Sequence, residues 1–141
     1  MGYPEYAGTA ERCFPGTTDS VPQARSWLGA WLDSLGVTNG LATDAALVLS
    51  ELATNAATHT RSAGPHGHYT VRVVLDLDTL QVEVADAGSP NEPRTPTPES
   101  LLDPLAEHGR GLALIDLYAA RWWTEGDTTG RTVTAELDRG A

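Results

Sequence analysis

Residues 43–59 read Thr43-Asp-Ala-Ala-Leu-Val-Leu-Ser-Glu51-Leu-Ala-Thr-Asn55-Ala-Ala-Thr-His59. Within them Ala45, Val48, Leu49, Leu52, Ala53 and Ala56 recur at i, i+3, i+4, i+7, i+8 and i+11. That spacing lays one apolar stripe along an α-helix and predicts a helix packed against a sheet or another helix. The pattern places its start near Thr43-Asp44 and its end before Ser62-Ala63-Gly64-Pro65. Glu51, Asn55 and His59 lie away from the stripe at steps of four. Each step turns about 400°, so the three share one slowly drifting face. A carboxylate one turn from a carboxamide suits a metal-and-water site. The Asn oxygen is a hard ligand of the kind Mg²⁺ takes, and the Glu can accept a proton from a nucleophile. A solvated polar face fits the same spacing.

Downstream, Val71, Val73 and Leu75 alternate with Thr70, Arg72 and Val74, and Leu80, Val82 and Val84 alternate with Gln81 and Glu83. The short link at Asp78-Thr79 joins these strands as an antiparallel hairpin. Upstream, Ser20-Val-Pro22 marks a helix start with Ser20 as N-cap. Val21, Ala24, Trp27, Leu28, Trp31 and Leu35 follow at helical spacing until Gly36. Residues 11–15 predict a short edge strand. Residues 87–107 hold five prolines and no periodicity, so they read as a long loop of a functional kind. A third helix is predicted from Gly111 with Leu112, Ile115 and Ala119, then strands at 122–125 and 132–137. The sum is an α+β two-layer sandwich: a mixed, mostly antiparallel sheet covered on one face by helices. Residues 1–10 read as a flexible tail and 11–141 as a single domain.

Two shorter motifs accompany the helix. Asp86-Ala87-Gly88-Ser89-Pro90 ends the second hairpin strand, where a carboxylate can accept a hydrogen bond from an amino group and a glycine admits a flat ring. An ordinary Asp/Gly/Pro turn has the same composition. His108-Gly109-Arg110-Gly111-Leu112 opens a helix, whose free N–H groups attract anions. A dinucleotide-binding reading fails there, because the third glycine and the preceding strand are missing.

Composition narrows the chemistry further. All nine positive side chains among the 141 residues are arginine. Without lysine there is no Walker A loop, no lysine on a protein-kinase third strand and no Schiff-base enzyme. The net charge of -10 disfavours nucleic acid as a partner. One cysteine, Cys13, excludes an internal disulfide and reads as a small buried hydrophobe. The start lacks a basic, then apolar, leader, and no apolar run nears the length of a membrane span, so a cytoplasmic protein is expected. His66-Gly-His68, in a Gly/Pro loop with no further ligands, does not make a zinc site.

The three motifs together, Glu51-Leu-Ala-Thr-Asn55-Ala-Ala-Thr-His59, Asp86-Ala-Gly88-Ser-Pro90 and Gly109-Arg-Gly111-Leu-Ala-Leu, resemble the N, G1 and G2 boxes of the GHKL ATPase superfamily. The subgroup they resemble is that of bacterial anti-sigma-factor serine/threonine kinases. The resemblance implies ATP and Mg²⁺ as cofactors, Glu51 as general base and Asn55 as the Mg²⁺ ligand. It implies Asp86 as the adenine-reading carboxylate, with Gly88 and Pro90 beside the base. Gly109, Arg110, Gly111 and Leu112 would lie against the phosphates, and residues 91–108 would form a lid. Thr58 stands where many relatives carry arginine, and His59 matches a family histidine with no derivable role. The implied partners are a STAS-type anti-anti-sigma protein and a sigma factor, and the resemblance leaves a homodimer open. A non-catalytic, ATP-dependent binding module is the alternative. A histidine kinase fits less well, since the chain has no room for a dimerisation helix pair with its acceptor histidine.

Overall fold

The computed structural model describes residues 8–59, 63–87, 107–127 and 129–139. Five strands and three helices run in the order β1 (Gly8–Gly16), α1 (Ser20–Ser34), α2 (Gly40–His59), β2 (Gly64–Leu75), β3 (Thr79–Asp86), α3 (Glu107–Tyr118), β4 (Arg121–Asp127) and β5 (Gly130–Asp138). The sheet order is β1-β2-β3-β5-β4. All four pairings are antiparallel, so the described strands contain no parallel pair. Helices cover one face, giving the α+β sandwich expected from the patterning.

The period-2 pattern explains that covering. Val71, Val73 and Leu75 on β2, Leu80, Val82 and Val84 on β3, and Val133, Ala135 and Leu137 on β5 all turn to the helix layer and are buried. They meet the α2 stripe of Ala45, Val48, Leu49, Leu52, Ala53 and Ala56 and the α1 residues Ala24, Leu28 and Leu32 in one continuous core. The opposite face closes itself with polar pairs. Glu136 accepts hydrogen bonds from Arg121 at 2.5 Å and from Gln81 at 3.0 Å, and Arg72 pairs with Glu83 at 3.2 Å. Glu136 is consequently buried on a face without helices, and these bonds hold its carboxyl below the usual range.

Several boundaries differ from the patterning. Helix α2 begins at Gly40, ahead of Thr43, because Asn39 caps it: its Oδ1 accepts from the Leu41 N–H at 3.0 Å. Strand β1 begins at Gly8, since pairing with β2 continues through Gly8 opposite Leu75. Arg12 interrupts its apolar alternation and lays its guanidinium over the Phe14 ring at 5.1 Å. Cys13 is exposed rather than buried, one residue out of phase with Phe14. His66 and His68 lie within β2 rather than in a loop, with His68 opposite Pro15.

Ser20 does not cap α1. The cap position belongs to Asp19, with no side-chain bond. Ser20 instead turns inward, its hydroxyl donating to the Thr17 carbonyl at 2.8 Å and meeting the Tyr69 hydroxyl at 2.5 Å. A hydroxyl has one hydrogen, so Tyr69 donates to Ser20 Oγ. Ser20 and Tyr69 are each 1% exposed, and the Tyr69 ring stacks on Phe14 at 5.8 Å. The pair thus ties the start of α1 to the sheet. Ser20→Ala strands a buried phenol and should cost about 1–3 kcal/mol. Tyr69→Phe leaves the bond from Ser20 to Thr17 intact and should cost about 1 kcal/mol. The double variant should lose less than the sum, which denaturant melts of the three proteins would show.

Candidate active site

Helix α2 packs on α1 and α3 and against β1, β2, β3 and β5, so its apolar stripe is enclosed and its other side stays accessible. Glu51 and Asn55 stand one turn apart on that side, both half-buried, while Thr54 and Thr58 are exposed. Burial raises the Glu51 carboxyl above its ordinary value. A partly desolvated carboxylate holds its proton more readily, the condition a general base needs near neutral pH. The Thr58 hydroxyl donates to its own helix, at the Thr54 carbonyl, at 2.7 Å.

Asp86 ends β3 in phase with Leu80, Val82 and Val84, so it faces the helix layer and is half-buried. Across the ladder, Arg131 of β5 stands directly opposite Asp86 and is buried. Sequence patterning missed Arg131, because only the β3–β5 register shows that it shares a row and a face with Asp86. Gly88 and Pro90, with the expected lid at 91–108 up to its last two residues, lie outside the described residues.

Helix α3 begins at Glu107, four residues before the predicted start. Gly109, Arg110 and Gly111 therefore belong to its opening turns and not to a turn ahead of it, and Leu112 follows in the same helix. The first four N–H groups of a helix have no intrahelical partner. The start of α3 thus retains its capacity for an anion. Packing of α3 on α2 and the bond from Trp122 Nε1 to Asp116 Oδ1 at 2.7 Å hold the helix between α2 and β4. Helix α2, which carries Glu51 and Asn55, packs against both β3, which ends in Asp86, and α3. An amide oxygen, a half-buried carboxylate and a helix start are groups of the kind a metal-bound nucleotide takes.

A family model described as histidine kinase-like ATPase domain matches residues 14–137. The chain belongs to that family. The match runs from Phe14 in β1 to Leu137 in β5, so it reaches into every element named above. ATP is the ligand this membership implies. Among solved structures, the crystal structure of the RsbU and RsbW domains of Rv1364c from Mycobacterium tuberculosis is similar, with a TM-score of 0.70 and 19% identity. The likeness covers 95% of this chain and 34% of that one, so the chain spans about a third of its neighbour. No curated protein matches. Among the described residues no helix is long and apolar enough to cross a membrane, and no three or more His, Cys, Asp or Glu side chains cluster as a metal site.

Two residues beside Glu51 escaped the sequence reading. Leu47 is half-buried and stands outside the core that every stripe residue joins. Asp44 is half-buried two turns before Glu51. The signal was present in the spacing, since Leu47 is the one leucine of 43–59 that falls off the stripe.

Proposed function

We propose that the chain is an ATP-dependent protein serine/threonine kinase of the partner-switching type. Its acceptor would be a hydroxyl of a STAS-type anti-anti-sigma protein, and its second partner a sigma factor, in the cytoplasm. The observation that carries the reading is the half-buried Glu51, with its raised carboxyl, one helical turn from Asn55 on the accessible side of α2. Glu51 would take the proton of the incoming hydroxyl as its oxygen bonds to the γ-phosphorus. The electron pair of the broken P–O bond leaves with ADP. Asn55 would hold Mg²⁺, which supplies charge neutralisation when bound. Asp86 would read the adenine amino group, with Gly88 and Pro90 at the base. The opening turns of α3, with Gly109, Arg110, Gly111 and Leu112, would face the phosphates. Such transfer rests on positioning and charge stabilisation.

The test is incubation of the protein with γ-labelled ATP, Mg²⁺ and each STAS protein of the same genome. Label is expected on a serine or threonine of one of them. ATP binding with no label on any would overturn the kinase reading in favour of a binding module.

A further inference from the structure

Along α2 the side chains that face away from the core fall in a fixed order. Asn55 lies one turn to the C-terminal side of Glu51, and Asp44 two turns to the other side. Seven residues turn about 700°, so Asp44 and Glu51 differ by only about 20° around the axis and lie about 10 Å apart along it. Leu47 sits between them, half-buried like Asp44 but outside the core. If Asn55 marks the metal end, an incoming hydroxyl meets Glu51 from the side on which Leu47 and Asp44 stand.

Asp44 has no hydrogen bond or ion pair among the described residues. A role confined to the helix dipole fits it poorly. That effect falls off within the first turn, and Asp44 is the fifth residue of a helix that begins at Gly40. An unpaired carboxylate and an apolar side chain off the core, on one side and one turn apart, fit a partner with a basic and an apolar group. The chain's net charge of -10 favours the same sign of partner.

We infer that Asp44 and Leu47 read the segment that carries the acceptor hydroxyl, Asp44 pairing with a basic side chain and Leu47 covering an apolar one. This rests on the kinase reading above. An extended chain advances at most about 3.3–3.6 Å per residue, so the basic residue lies about three positions from the acceptor.

The full-length protein, Asp44→Asn, Asp44→Arg and Leu47→Ala are tested on short serine-centred peptides. Each peptide carries one arginine at successive positions on either side of the serine, and a matched set carries glutamate. Transfer from labelled ATP is one readout. Peptide binding by fluorescence anisotropy, with Mg²⁺ and a non-hydrolysable ATP analogue, is the other. In the wild type, arginine about three positions from the serine should lower KM by about fivefold, the size of a good exposed ion pair, with kcat unchanged. Asp44→Asn should lose that preference and Asp44→Arg should transfer it to the glutamate set, while ATP affinity and melting temperature stay near wild type. Leu47→Ala should raise KM for every peptide. The same arginine preference in Asp44→Asn, or none in the wild type by either readout, would overturn the inference. Binding that depends on Asp44 without any transfer would sink the kinase reading and support the docking role.

Discussion

Glu51→Gln should slow phosphate transfer to a STAS partner by about 100-fold or more, the usual scale for a lost general base. Glutamine keeps the size and helix preference of glutamate but cannot take the proton. ATP affinity should change little, because in the proposed site the carboxylate serves the nucleophile and not the adenine. Asn55→Ala should do the reverse, weakening Mg²⁺-dependent ATP binding itself. The pH dependence has a definite sign. Burial raises the Glu51 carboxyl, so transfer should fall on acidification at a pH above the ordinary glutamate range. That falling limb should vanish from the residual rate of the Gln variant. Stability runs the opposite way. A carboxyl whose folded pKa is raised contributes stability below its unfolded pKa, and that contribution is lost as pH rises through the folded value. Glu51→Gln should therefore be at least as stable as wild type at neutral pH. Transfer, calorimetry and melting on one preparation check all three points, and a Gln variant that transfers at the wild-type rate would falsify the general-base role.

The wild type should bind ATP at least about 1,000-fold more tightly than GTP. A site that hydrogen-bonds a particular group rejects an analogue lacking it by several kcal/mol, because its own buried polar group is left unpaired. Asp86 faces the helix layer, half-buried, at the end of its strand. Guanine would present an oxygen to this carboxylate where adenine presents an amino donor. Titration calorimetry with both nucleotides decides the matter. Equal affinities would remove Asp86 from the adenine site, and Asp86→Ala should lower ATP affinity while narrowing the gap between the two.

Much of this was legible in the residues because the decisive features are periodic. The α2 stripe and the alternations of β2 and β3 each bury the side chains that their periods select. Boundaries were less legible, because a cap or a ladder decides them. Asn39 starts α2 early, and continued pairing with β2 starts β1 at Gly8. Ser20 has the composition of a cap but serves the core, since the phenol it meets is 49 residues away in sequence. For the candidate site, helical spacing puts Glu51 and Asn55 on one face, but a solvated polar face has the same spacing, and only the motifs together single the two out. Arg131 is not legible in either way, because its place opposite Asp86 is a property of register between strands. Gly109 lies ahead of the start that patterning gives at Gly111, yet α3 takes it in, since a helix tolerates a glycine at a cost of only about 1 kcal/mol.

The edge strand β1 also limits how the molecule meets its own kind. A second copy adding antiparallel to that edge about a two-fold axis normal to the sheet sets one residue opposite itself. Centred on Glu11 two carboxylates meet, and centred on Arg12 two guanidinium groups do, and like charges directly opposite are destabilising. Centred on Cys13 the charges separate, but Pro15 then stands opposite Glu11 and brings no N–H to the ladder. Each of these registers carries a penalty, as is usual for edges that resist sheet-to-sheet growth. In these three registers two charges and a proline make β1 a poor partner for its own copy.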